Sequence, residues 1–141
     1  MPRYMALDPG TQVVGVALSD PGAIIVSPLV AIPRRPHQRF LQRVKELIQE
    51  HKPEKLAMGL PLAKDGSRGI AAQKALALAS ELRKVLDIPI ETIDESFTTV
   101  EAMELMEEAK VKLKKRSKLI DSFSAAIILE RYLKQKRTED Q

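Results

Sequence analysis

Three places in this 141-residue chain put an acid where a buried position would favour an apolar side chain. Asp8 closes the apolar run Tyr4-Met5-Ala6-Leu7 just before Pro9-Gly10, in the stretch LDPGTQVVGVALSD. Asp94 and Glu95 close a second run, IETIDES, and Asp121 interrupts KLIDSFSAAIIL. At helical spacing Asp121 shares a stripe with Ala125, Ile128 and Tyr132, so it faces inward. Each acid has a local explanation. Asp8 suits an Asx-type turn, Asp94 and Glu95 stabilise a following helix, and Asp121 complements a positive helix end. Together they allow another reading, because strand ends and a helix N-terminus can converge on one edge of an α/β sheet. Converging carboxylates raise one another's pKa unless a cation neutralises them. Oxygen-only ligands suit Mg²⁺ or Mn²⁺, and two such ions can clamp the attacking water and leaving oxygen of a phosphodiester.

The elements that must position these acids can be read from periodicity. Tyr4–Leu7, Val13–Leu18 and Ala23–Ile32 read as three strands close enough in sequence for an antiparallel meander. Pro36 opens a helix through Phe40, Val44, Leu47 and Ile48, and Lys55–Leu60 is a fourth strand ended by Pro61. After an Asp65-Gly66 turn, Ala71, Ala75, Leu78, Leu82 and Val85 mark a second helix, and Ile88–Ile93 a fifth strand. Thr98 and Glu101 match a capping box opening a third helix over Met103 and Met106. A last helix runs from about Ser117 to Lys134. The order βββ-α-β-α-β-α-α predicts an α/β fold: a mixed five-stranded sheet, an antiparallel meander plus two parallel strands, flanked by helices. Residues 1–136 are expected to form a single domain, with 137–141 a flexible polar tail.

Composition narrows the chemistry. The chain has no cysteine, which removes disulfides, thiolate zinc sites and a cysteine nucleophile together, and fits a reducing cytoplasm. His37 and His51 lack metal-ligand spacing and read as surface residues. No apolar run reaches the ~20 residues that cross a bilayer, so a membrane is not expected as a partner. The net charge of +4 is unevenly spread. Residues 110–118, KVKLKKRSK, hold six basic side chains, and 34–43, RRPHQRFLQR, four arginines, neither with an acid. Such clusters favour polyanions. Thr11, Lys64, Ser67 and Arg68 lie on loops expected to border the acids. The alternation in KVKLKK suggests a basic flap carrying Lys112, Lys114, Lys115 and Arg116 ahead of Asp121. Aromatic residues, at 4%, leave little for base stacking.

Four blocks in order, LDPGTQVVGVALSD, MGLPLAKDGS, DESFTT and LIDSFSAAIILERYL, resemble the YqgF/RuvX family. These are Holliday-junction-resolvase-like or pre-16S rRNA nucleases of the ribonuclease H-like superfamily. The resemblance implies that Asp8, Glu95 and Asp121 are catalytic metal ligands for Mg²⁺ or Mn²⁺. Asp94 is the doubtful fourth, since strand alternation sends it to the opposite face from Glu95. Two positions depart from the family pattern. Thr11-Gln12-Val13-Val14 carries no basic residue where the family has one or two, and Ala63 replaces an asparagine. Both departures bear on substrate contact rather than on the ligands.

The resemblance therefore implies a divalent-metal-dependent endonuclease acting on structured nucleic acid, foremost at the 5′ end of pre-16S rRNA in ribosome biogenesis. Four-way DNA is the alternative substrate, and would call for a symmetric dimer; the expectation is a monomer or weak homodimer. A different class, a non-catalytic nucleic-acid-binding factor of ribosome assembly or transcription, predicts binding without turnover. The Asp-x-Gly-Thr signature also occurs in actin-like kinases, but those need a second phosphate loop that one domain of this length cannot supply.

Overall fold

The computed structural model describes residues 3–10, 12–23, 25–63, 65, 67–95, 104, 107 and 113–139, of which 95, 113–120, 138 and 139 by backbone alone. Five strands, β1 (Tyr4–Pro9), β2 (Val13–Ser19), β3 (Val26–Pro33), β4 (Lys55–Pro61) and β5 (Ile90–Glu95), form one sheet in the order β3-β2-β1-β4-β5. The first three are antiparallel neighbours, whereas β4 runs parallel to β1 and β5 parallel to β4. Three helices complete the described chain: α1 (His37–His51), α2 (Ile70–Val85) and α3 (Leu113–Glu139). The predicted mixed sheet, meander and parallel half included, is present.

Alternation along the strands divides the core into two layers. Met5, Leu7, Val14, Val16, Leu56 and Met58 pack with Phe40, Val44 and Leu47 of α1 and Leu78 and Leu82 of α2. On the other face Tyr4, Ala6, Ala17, Ala57 and Ile93 meet Ala125, Ala126, Ile128, Leu129 and Tyr132 of α3. Small residues dominate this second face. Alanine and glycine bring α3 close to the sheet: a Cβ on Gly59 would run into the Ile128 side chain. Because β1, β4 and β5 are parallel and β2 antiparallel, the ends of β1, β4, β5 and β3 share one edge with the start of β2. Asp8, Pro33, Pro61 and Glu95 all fall there.

Several predicted boundaries shift, each for a local reason. β3 begins at Val26, not Ala23, because Ala23 has φ 56° and its N–H donates to the Asp20 carbonyl in a tight turn. β5 spans Ile90–Glu95 rather than Ile88–Ile93; Pro89 has no N–H to give, and the ladder to β4 starts at Ile90. In α2 the buried face takes Ala72 in place of Ala71, and Val85 is exposed. The largest difference is α3, which is helical from Leu113 and continues through Glu139. Lys114, Lys115 and Arg116 are thus helical, not part of an alternating flap: lysine, leucine and arginine are strong helix formers, and the alternation was too short to override them. The Thr98–Glu101 capping box and the helix over Met103 and Met106 lie outside the described residues, although Glu104 and Glu107 are helical.

Candidate active site

Asp8 and Asp121 come together because of Gly15. Asp8 pairs across the β1–β2 ladder with Gly15. With no side chain on Gly15, the backbone of α3 settles directly onto β2: a Cβ there would collide with the Asp121 carbonyl and lie 2.9 Å from the Ser122 nitrogen. The Pro9-Gly10 turn closes with the Gly10 N–H donating to the Val13 carbonyl at 2.9 Å. A Cβ on Gly10 would stand 3.7 Å from Asp121 Oδ1. Asp121 therefore hangs over the turn that follows Asp8. It is the ninth residue of α3, more than two turns from the N-terminus, so it does not cap the helix dipole.

The electrostatics of the pair are unfavourable without a cation. Burial, then the charge of Asp121, push the Asp8 carboxyl from its ordinary 3.8 up to about 7; the Ser124 hydroxyl hydrogen-bonded to it pulls the other way. Burial also raises Asp121. Neither forms an ion pair with a lysine, arginine or histidine among the described residues. Two poorly solvated carboxylates, with oxygen donors only and no basic partner, fit a hard divalent cation such as Mg²⁺ or Mn²⁺. Among the described residues no third His, Asp or Glu side chain joins the pair. Glu95, the last residue of β5, lies at the same sheet edge, in register with Pro61 and two residues beyond Ile93, which packs under α3. Its side chain lies outside the described residues.

The other predicted residues separate. Asp94 is exposed and receives Arg68 Nη2 at 3.2 Å, which ties β5 to the loop after β4. Within that loop Asp65 accepts from both the N–H and the hydroxyl of Ser67, at 2.9 and 2.6 Å. Thr11, Lys64 and Lys112 lie outside the described residues, as do the side chains of Lys114, Lys115 and Arg116. His37 is exposed against Glu81. Sequence reasoning missed Gly15, Ser124 and Arg34. Ser124 was discoverable, lying three residues from Asp121 on the same helical face. Arg34, whose Nη1 donates to the Gly10 carbonyl at 2.9 Å, left only the arginine-rich run as a signal. A polar recess of about 290 Å³, lined by Lys55, Glu91, Tyr132 and Lys136, lies at the opposite sheet edge, far from the acid pair.

The chain is also similar to known proteins. The model of the RuvX family, described as Holliday junction resolvase, matches residues 2–135. The chain belongs to the RuvX family. A Roseiflexus sp. (strain RS-1) relative named "Putative pre-16S rRNA nuclease" is 41% identical over 135 residues, 96% of each chain. Among solved structures, fowlpox virus resolvase with Holliday junction DNA aligns over 94% of this chain and 97% of its own, with TM-score 0.58 and 10% identity. Thermus thermophilus RuvC aligns over 95% and 96%, with TM-score 0.53 and 19% identity. At these identities the structural likeness concerns the fold alone, which is ribonuclease H-like. This RuvX-family chain has no helix among the described residues long and apolar enough to cross a membrane.

Proposed function

We propose that the chain is a divalent-metal-dependent endonuclease of the cytoplasm that hydrolyses phosphodiester bonds in structured RNA, with the 5′ end of pre-16S rRNA as its substrate. The observation that carries this is the half-buried Asp8–Asp121 pair at the sheet edge, in a RuvX-family chain whose relative is named for pre-16S rRNA. Asp8 and Asp121, with Glu95 as third ligand, would hold Mg²⁺ or Mn²⁺. When bound, the metal supplies Lewis acidity: a lowered pKa for an attacking water and neutralisation of the charge developing on phosphate and leaving oxygens.

The protein's own groups do the rest. Gly15 lets α3 approach closely enough to set Asp121 beside the Asp8 strand end. The Ser124 hydroxyl favours the ionised form of Asp8, partly offsetting burial and the Asp121 charge. The Asp94–Arg68 pair keeps the loop after β4 against the same edge. Lys114, Lys115 and Arg116, in the helical turns just ahead of Asp121, would contact the nucleic-acid backbone, and Thr11, Lys64, Arg68 and Lys112 are further candidates for that role. The family's own description favours four-way DNA as the second substrate.

A 5′-extended 16S precursor fragment and a four-way DNA junction are incubated with Mg²⁺, with Mn²⁺ and with EDTA. Cleavage is expected with metal only, and Asp8→Asn and Asp121→Asn should each lose more than about 100-fold, beyond what loss of a supporting contact at a metal site costs. Cleavage surviving both substitutions would sink the carboxylate-metal mechanism. Binding without cleavage under any condition would point instead to a nucleic-acid-binding factor.

A further inference from the structure

The turn after Asp8 carries no basic residue, yet a guanidinium reaches it from elsewhere. β3 ends at Pro33 opposite Val13, so the residue after it arrives at the carboxylate edge. There Arg34 is fixed twice: its N–H donates to the Gln12 carbonyl at 2.9 Å, and its Nη1 to the Gly10 carbonyl at 2.9 Å. Gly10 is the residue whose Cβ would stand 3.7 Å from the Asp121 carboxylate. A guanidinium has five N–H donors, and this contact uses one. Arg34 is half-buried, and among the described residues it pairs with no acid. Arg35 and Arg39, next along the chain, are exposed and equally unpaired, whereas Arg43 pairs with Glu46.

We propose that Arg34, anchored on the Gly10 carbonyl, forms with Arg35 and Arg39 a phosphate-binding track leading to the acid pair, which receives the sugar-phosphate backbone of the nucleic acid. The proposal rests on the nuclease reading for what lies at the end of the track. It answers the absence of charge in Thr11-Gln12-Val13-Val14: the cation that steadies a phosphate beside the acids comes from the β3–α1 connection. Arginine suits the place because its planar fork can hold a carbonyl with one edge and a phosphate with another, which a lysine cannot do.

The test measures binding by fluorescence anisotropy, in EDTA, of the 5′-extended 16S precursor fragment and the four-way junction between about 50 and 200 mM salt. Wild type is compared with Arg34→Ala, Arg34→Lys and the double variant Arg35→Ala/Arg39→Ala, whose exposed side chains can be removed without disturbing the fold. Arg34→Ala should lower the slope of log affinity against log salt by about one, and the double variant by about two. Arg34→Lys should keep the slope but weaken binding of the preferred probe, since it loses the Gly10 tie. The probe that shows the larger slope changes identifies the backbone, RNA or DNA, that the track receives. Wild-type slopes in the double variant, or no salt-dependent binding of either probe by wild type, would overturn the track. Metal-dependent cleavage is scored separately. Its absence with the slope changes intact removes the nuclease reading and leaves the track standing, and cleavage with unchanged slopes does the reverse.

Discussion

A carboxyl with a pKa of about 7 holds a proton that the unfolded chain releases near 3.8, and Asp8 is such a group. Between those values the folded state binds more protons than the unfolded one. The stability this lends is complete below pH 4 and is lost as pH rises through 7. The span of about 3 units corresponds to on the order of 4 kcal/mol. Metal-free wild type should therefore melt lower at pH 8 than at pH 5, and Asp8→Asn should flatten that decline. At pH 8 in EDTA the variant is expected to melt about 5–10 °C above wild type, although its cleavage with metal should be lower by more than about 100-fold. Parallel melting curves for the two proteins across this range would show that Asp8 is not shifted. A divalent cation needs the ionised form, so it competes with the proton. Mg²⁺ or Mn²⁺ should accordingly raise the wild-type melting temperature more at pH 8 than at pH 6, and leave Asp8→Asn unmoved.

At the level of elements, the β2–α3 contact decides whether the two acids meet. Gly15→Ala pushes a methyl into the Asp121 carbonyl, a backbone atom that cannot rotate away. Gly59→Ala meets only the flexible end of Ile128. Gly15→Ala should cost about 2–3 kcal/mol in chemical denaturation and Gly59→Ala less, within the range for overpacking. Only Gly15→Ala should also lose activity at temperatures where it remains folded. The reverse ranking would remove this contact from the account. Arg68→Ala, which breaks an exposed pair, should change stability by no more than about 1 kcal/mol.

Much of this architecture was legible. Short apolar runs bounded by turn residues and prolines gave all five strands, and the spacing of Asp121, Ala125, Ile128 and Tyr132 gave the buried face of α3 correctly. Local signals failed where they competed. KVKLKK alternates like a strand but is built from helix formers, and its helical part extends α3 upstream of Ser117. Gly15 and Arg34 were illegible for a different reason: their roles are contacts with Asp121 and Gly10, and nothing in their own sequence neighbourhood marks those partners.

For the whole molecule, one sheet serves both core layers, and α3 alone among the described helices covers the alanine-rich face. A single cooperative transition is expected on thermal or denaturant unfolding, with calorimetric and van't Hoff enthalpies in agreement. A chain truncated at Lys110 would expose Tyr4, Ala6, Ala17, Ala57 and Ile93 to water and should give no such transition. A cooperative melt from that fragment would show that the α1/α2 layer folds by itself.

The contact between β2 and α3 also has a consequence in time. Its two halves lie far apart in the chain: Gly15 is made well before Asp121 and Ser122. A chain still being synthesised emerges from its N-terminus, so it carries Asp8 long before any partner carboxylate exists. A product released before Asp121 would hold half of the acid pair and is expected not to cut. On the proposed ligand set, competence to cleave is expected only once α3 has been made and has docked on β2.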